Sequence, residues 1–381
     1  MKVSLLLKVI AAIVFILFLK SCSAPTANLP DINSIEIKEQ EERQKRLSYL
    51  NYTKQFQRTH NIVFKINLNN ENLCQKKNYD FGFRVANSDV IGEDAAFYPK
   101  DLNLGTKISV VSIANDSSSK KAGLMIGDKI ESINQSFIED GKIAIKSFAK
   151  IKDENSKNEN VNLAIIRDGS KMNINFIPDR VCAYPLMFTR GQEINAYADG
   201  NNIFITQGIA EYTLDDNELA LVVGHELAHN NRNHIDAKKK NALAGALFGF
   251  VVDMAVIAAG GYSGGEYTDI GAQLGSQAWS VEFEQEADYA GLYYAKRAGF
   301  DVSKANEFWT RMGAKNPQAI AHNSTHPATA KRFVSLKATL VEIENKIQNG
   351  AEIIPNEKIK QVEKKEQKKT KFSLKKLLKK Q

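Results

Sequence analysis

The sequence predicts an α+β protein: a mainly helical C-terminal domain that carries a small sheet, preceded by a β-rich domain. Three observations lead there. Runs rich in β-branched residues, Ile108–Ile113 and Val161–Ile166, fall within residues 77–178. Two strand-like runs within 193–206 are joined by Asp199-Gly200-Asn201-Asn202, and segments with helical spacing follow them. A chain of 381 residues, 43% of them hydrophobic, can bury a sizeable core, and its length suggests two domains plus appendages.

Taken in order, residues 1–22 read as an export signal. Lys2 and Lys8 precede the apolar run Val9–Leu19, which is shorter than the ~20 residues of a spanning helix but of signal-peptide length. It ends in Leu19-Lys20-Ser21-Cys22, which resembles a bacterial lipobox. That resemblance implies a lipidated Cys22; the alternative is an uncleaved anchor. In both readings the bulk of the chain is expected in the cell envelope, facing the periplasm and tethered to a membrane, the outer membrane more than the inner. Residues 23–76 then hold a tether with Pro25 and Pro30 and a helix over Glu36–Gln57.

Cys74 and Cys182 flank the β-rich segment. In an oxidising compartment they would either bridge and staple its two ends or remain as buried thiols. Within it, Ala122-Gly123-Leu124, Gly127-Asp128, Ile130 and Ile133-Asn134 resemble a bacterial PDZ pattern, with Gln135 where glycine is usual. A PDZ-like domain is therefore expected over 77–178. Phe81-Gly82-Phe83 stands where such domains carry the loop that receives a peptide's C-terminal carboxylate. The physics would be β-augmentation, a bound peptide adding a strand. Two core phenylalanines flanking a turn is the plainer reading.

The chemistry centres on Val223-Gly224-His225-Glu226-Leu227-Ala228-His229. Residues four apart on a helix share a face, so His225 and His229 can place imidazole nitrogens on one ion at the ~2.0–2.1 Å that zinc requires. Glu226, rotated about 100° from His225, is poorly placed as a ligand and well placed as general base toward an attacking water. Thr213 is expected to cap this helix, with Asp215 and Asp216 in its first turn. The run Ile203–Thr206 is expected to be an edge strand that aligns an extended substrate.

The third ligand must come from further on, because His234 lies about 140° around the helix from His229. Residues 242–261 are nearly all apolar and read either as a membrane span or as a packed helix; Asp253, costly in lipid, favours packing inside the domain or at an interface. Beyond it, Glu284 and Asp288 share a helical face in Glu282-Phe283-Glu284-Gln285-Glu286-Ala287-Asp288. Glu284 is the expected third ligand, and Asp288 the carboxylate that orients a ligand histidine. Glu282 and Glu286 are expected to be solvated.

HELAH at 225–229, an Ala/Gly-rich stretch, the E-x-E-A-D run, Ser324-Thr325-His326-Pro327 and Arg332 together resemble the HtpX and CAAX prenyl protease group of zinc metallopeptidases, family forty-eight, in its soluble BepA-like or Oma-like branch. The resemblance implies a mainly helical, gluzincin-like zincin domain over 181–345 and one Zn²⁺ on His225, His229 and Glu284. It also implies Glu226 as base, His326 near the metal as oxyanion stabiliser or zinc cap, and Arg332 behind the ligands. Where many members have Ser-Arg, this chain has Ser280-Val281.

The net charge of +7 sits at the end of the chain. From Lys358 there are eleven lysines against Glu363 and Glu366, a balance of +9 that leaves −2 for the rest. Residues 346–381 thus read as a Lys-rich disordered tail, and nucleic acid is not an expected partner. Expected partners are unfolded or extended protein substrates and a membrane. The expected function is hydrolysis of unfolded or misassembled envelope proteins. The competing reading is a chaperone-like or scaffold protein that works through the PDZ-like module with its zinc site closed.

Overall fold

The computed structural model describes residues 27–157, 160–259, 261–277, 280–315 and 330–358. Cys22 with its signal, His326 and the part of the expected tail beyond Lys358 lie outside the described residues. The first part of that tail, 346–358, is not disordered: the last described helix runs to Gln348, Lys346 Nζ donates to Asn356 Oδ1 at 2.9 Å and Arg232 Nη1 donates to Glu357 Oε2 at 2.7 Å. The chain divides into two compact units, residues 1–47 and 48–381. In the first, the Asn33 side chain accepts the Ile35 N–H at 2.9 Å at the start of helix α1 (Ser34–Asn69). The helix runs well past Gln57, where it was expected to stop. Its later residues are buried, among them Thr59, His60, Ile62, Val63, Phe64 and Ile66, and packing of this kind outweighs the weak propensity of β-branched residues for helix.

Along the β-rich part run β1 (Lys77–Asp80), β2 (Phe83–Ala86), β3 (Ser109–Ile113), β4 (Lys129–Ile133), β5 (Ser136–Phe137), helix α2 (Ala144–Asn155), β6 (Val161–Arg167), β7 (Ser170–Phe176) and β8 (Asp179–Cys182). One sheet has the order β2-β3-β4-β6-β7, with β5 paired to β4, and β1 pairs separately with β8. All its pairings are antiparallel. In β6 Val161, Leu163 and Ile165 point into the core and their neighbours do not, the period of two that a half-buried strand requires. The Gly-Asp motif closes a turn: buried Asp128 accepts the Met125 N–H at 2.8 Å and both guanidinium arms of Arg167 at 2.7 Å.

Phe81 and Phe83 belong to the core under this sheet. The Gly82 N–H is donated to Asp80 Oδ1 at 2.8 Å, so this amide is taken up inside the turn. The arrangement is that of core phenylalanines flanking a turn.

The mainly helical part contains β9 (Leu186–Thr189), β10 (Ala196–Ala198), β11 (Ile203–Thr206), α3 (Gln207–Tyr212), α4 (Asp216–Asn231), α5 (His234–Ala258), α6 (Glu266–Gln277), α7 (Ser280–Arg297), α8 (Ala305–Lys315) and α9 (Ala330–Gln348). Here the expectation of an edge strand at Ile203–Thr206 is corrected. β11 is central, antiparallel to β10 on one side and parallel to β9 on the other. The sequence shows the hairpin partner but not the remote strand Leu186–Thr189 that covers the second edge, so the free edges fall to β9 and β10.

Among the described residues two large hydrophobic cores, one under the β-rich sheet and one around α4 and α7, and a small cluster of Phe64, Ala114 and Val181 lie within the single unit 48–381. Helix α1 touches both parts. Its Ile62, Val63 and Ile66 enter the second core, while Gln57 pairs with both backbone groups of Ile113 on β3, at 2.7 and 3.0 Å. Cys74 and Cys182 are joined in a disulfide across a Cα separation of 5.5 Å, fastening the end of β8 to the segment that enters β1.

Candidate metal centre

Helix α4 begins at Asp216, and its cap is Asp215, whose carboxylate accepts the Glu218 N–H at 2.9 Å. Thr213, the expected cap, instead closes α3, and its hydroxyl accepts from Arg58 at 3.1 Å. Arg58 also donates to Asp216, Asp215 and Ala210, which anchors the front of α4 to α1. The other end is held by Asn230, which accepts the Gly200 N–H and donates to the Asn202 carbonyl, and by Asn231, which donates to Leu73 and to the Tyr294 hydroxyl. Between these anchors nearly every α4 residue from Glu218 to Asn231 is buried.

Against α4 lies α7. At their crossing a Cβ built on Gly224 would stand 2.5 Å from the Gly291 carbonyl oxygen, and one on Gly291 would stand 2.8 Å from the His225 nitrogen. Only glycines allow so close an approach. The contact sets an antiparallel register in which Asp288 meets His225 and Glu284, one turn earlier on α7, reaches both histidines.

The three expected ligands converge. His225 Nε2 and His229 Nε2 are 3.1 Å apart, and each lies 3.3 Å from a carboxylate oxygen of Glu284. All three side chains are buried, Glu284 completely. Two atoms each ~2.0–2.1 Å from one zinc ion at a tetrahedral angle stand about 3.3 Å apart, so these spacings suit a shared ion. The set leaves one tetrahedral position open, as a hydrolytic zinc site requires.

The groups behind the ligands fix their protonation. Asp288 Oδ1 lies 3.0 Å from His225 Nδ1, which makes Nδ1 the donor and leaves the Nε2 lone pair toward the ion. Behind Asp288, Arg332 on the first turn of α9 donates through Nε and Nη2 at 2.7 and 2.8 Å. Burial pushes the Asp288 carboxyl up, but the Arg332 charge and the hydrogen bonds outweigh it and hold it below the usual range. Burial likewise opposes protonation of His225, yet hydrogen bonds to Asp288 and Glu284 raise its pKa to about 9. A proton and a cation therefore compete for the same lone pair.

His229 has a support that sequence reasoning missed. Asn233 adopts a left-handed conformation, φ 56°, which turns the chain between α4 and α5. That turn brings buried His234 Nδ1 to 3.1 Å from His229 Nδ1, while His234 Nε2 lies 3.3 Å from Glu286 Oε2. With Glu286 as the terminal acceptor, His234 donates through Nε2 and accepts through Nδ1 from His229 Nδ1–H. The His229 Nε2 lone pair is thereby left for the ion. Glu286, expected to be solvated, is half-exposed and engaged, and its hydrogen bond to His234 lowers its pKa. His234 itself faces the back of the ligand and not the ion, but the Asn233 turn puts it there and not its angle around α4, which ends at Asn231.

Glu226 is buried beside this set on α4. Trp309 on α8 packs against the His225 ring at 5.3 Å between centroids and under the Arg332 guanidinium at 5.7 Å. Lys238 Nζ lies 3.8 Å from Glu284 Oε1 and Arg332 Nη1 lies 3.4 Å from Glu284 Oε2, so two cations face the buried Glu284 carboxylate.

Residues 173–340 match peptidase family M48. The match takes in α4, α7 and most of α9, and with them every residue of the buried site described above. Three relatives carry the same likeness. The mitochondrial metalloendopeptidase OMA1 of Schizosaccharomyces pombe is 31% identical over 150 residues, 39% of this chain and 43% of its own length. The beta-barrel assembly-enhancing protease of Yersinia pestis is 31% identical over 157 residues, 37% of this chain and 31% of its own. OMA1 of Saccharomyces cerevisiae is 26% identical over 209 residues, 51% and 54%. The likeness to the first two thus spans less than half of each relative's length. Within the matched segment, His225, His229 and Glu284 are placed so that they could hold one metal ion.

Proposed function

We propose that the chain is a zinc endopeptidase of the cell envelope that cuts unfolded or misassembled proteins. The observation that carries this is the convergence of His225, His229 and Glu284 within one buried site whose outer partners leave both Nε2 lone pairs facing inward. When bound there, zinc supplies Lewis acidity, lowering the pKa of a coordinated water toward ~7 and polarising the scissile carbonyl. Glu226 takes the proton of the attacking water and passes it to the leaving amine. His326, by its resemblance to the family's motif, steadies the developing negative charge on the carbonyl oxygen.

An extended substrate backbone would pair with a free edge of the small sheet. β10 is the better candidate, being joined through the 199–202 turn to Asn230 at the C-terminal end of α4. Such pairing selects segments without stable structure, in keeping with relatives named for barrel assembly. A disulfide between Cys74 and Cys182 suits an oxidising compartment, as does a lipid on Cys22.

A second reading has one observation of its own. β2 is an edge strand, and a cavity of about 430 Å³ lies beside it, lined by Phe83, Val85, Ile145, Phe148 and Lys152. A PDZ-like module would take a peptide strand there and deliver or merely hold it. The test of the main reading is cleavage of an unstructured protein by the full chain. It should stop with chelator and with Glu226→Gln while zinc content is kept; cleavage that continues in Glu226→Gln would overturn it.

A further inference from the structure

Helices α5 and α6 form a hairpin built inside out. Residues 242–261 were expected to pack into the domain or an interface, but among the described residues of α5 only His234, Gly249 and Asp253 are buried. Leu243, Leu247, Phe248, Phe250, Val251 and Met254 all face outward, Phe248 at 75% exposure. From Leu243 to Ala258 every exposed α5 residue is apolar. A soluble hairpin would do the reverse, since exposed apolar patches of this extent mark an interaction surface.

What lies between the two helices is small. Gly245 and Gly249 on α5 face Gly271 and Gly275 on α6, one Gly-x-x-x-Gly pair against another. A Cβ on Gly245 would stand 2.0 Å from the Gly271 carbonyl oxygen, and one on Gly271 would stand 2.1 Å from that of Gly245. Close backbone packing through glycines, with large apolar side chains turned outward, is the arrangement of helices whose surroundings are lipid.

Asp253, which argued against lipid, has no such force here. It is buried, and its carboxylate accepts from the Ser263 and Thr268 hydroxyls and from the Tyr267 and Thr268 amides at the start of α6. Its hydrogen-bonding capacity is met within the hairpin itself, which removes most of the cost of burying it.

The two helices differ in one respect. On α6, Tyr267, Ile270 and Leu274 form an exposed apolar row, whereas Glu266, Asp269, Gln273 and Gln277 form an exposed polar one. By helical angle the polar row lies on the side of α6 away from the glycine seam. A hairpin that crossed a bilayer would bury that polar row in hydrocarbon. One lying in the interface would not: α5 would sit deeper and the back of α6 would face water. At the base, exposed Lys239 and Lys240 suit an anionic surface.

We propose that the α5–α6 hairpin embeds in the interfacial layer of a lipid bilayer, α5 and the Tyr267–Ile270–Leu274 row inward and the Gln273 row outward. The hairpin follows directly on His229 and His234, so it would seat the metal centre beside the membrane surface. This inference stands independently of the peptidase reading.

The test uses the full chain with a benzophenone side chain in place of Phe248, Leu274 or Gln273, bound to vesicles of phosphatidylethanolamine and phosphatidylglycerol and irradiated. Zinc content and circular dichroism confirm folding of each variant. Lipid adducts should form at 248 and 274 and fall at least tenfold at 273, although 273 and 274 are neighbours in sequence. Adducts to protein, whether a second copy or another partner, or no lipid adducts at any position, would overturn it. Equal lipid labelling at 273 and 274 would overturn the interfacial orientation.

Discussion

Gly224 and Gly291 touch backbone to backbone: the Gly291 Cα would lie 3.4 Å, and its carbonyl oxygen 2.5 Å, from a methyl group placed on Gly224. That contact sets the spacing of α4 and α7, and through it the distance from Glu284 to both histidines. Gly224→Ala should therefore force the helices apart, at about 1–3 kcal/mol in stability as for other overpacked cores, and weaken zinc binding as well. Gly105→Ala, where a Cβ finds only the tip of Lys129 at 3.9 Å, is the control. Denaturant unfolding and a chelator-competition titration measure the two effects. A Gly224→Ala protein with unchanged zinc affinity would remove this contact from the site's geometry.

His234 offers a second prediction. It touches the ligand His229 and not the ion, so it acts by positioning. His234→Ala should cost about 10–100-fold in zinc affinity, the usual effect of losing a ligand's outer partner, and Glu286→Gln should cost less because it leaves the His234–His229 contact in place. With the zinc site saturated, cleavage in His234→Ala should recover most of its rate. A rate that stays low at full loading would mean that His234 serves the reaction by another route.

Most of the site was legible in the sequence because helical spacing is a strong constraint. His225 and His229 are four positions apart, as are Glu284 and Asp288, and each pair shares a face whatever the rest of the chain does. His234 was hidden because its role depends on a left-handed Asn233, a single backbone turn that no periodicity reveals. The β11 error has a similar origin. Hairpin partners announce themselves through a Gly/Asn turn, whereas a parallel neighbour such as β9 carries no local mark. Gln135 shows the opposite case: it stands where the motif expects glycine, and it takes φ +69° all the same.

The disulfide gives a third prediction. Cys74 and Cys182 are 108 residues apart, so the bridge restricts a long loop in the unfolded chain. Replacing both by serine should cost about 2–5 kcal/mol, an effect attributed in part to chain entropy. The bridge touches no ligand, and Leu73 and Gln75 keep their own hydrogen bonds to Asn231 at the end of α4, so zinc affinity of the folded variant should change little. Unfolding with and without reductant, compared in the wild type and the double variant, checks both points.

The buried pair of Arg332 and Asp288 allows stability to be separated from zinc binding. Removing only the arginine, as in Arg332→Met, leaves a carboxylate buried without its partner, which costs about 3–5 kcal/mol in comparable cases. Adding Asp288→Asn removes that charge, so the double variant should regain much of the lost stability. It should not regain zinc affinity. The asparagine oxygen can still accept from His225 Nδ1–H, but it no longer carries the negative charge that raises the basicity of Nε2. Arg332→Lys should fall between, because one ammonium keeps the charge but cannot reproduce the two-armed contact through Nε and Nη2. If stability and zinc affinity instead recover together in the double variant, the carboxylate serves only to neutralise Arg332, and its role behind His225 must be given up.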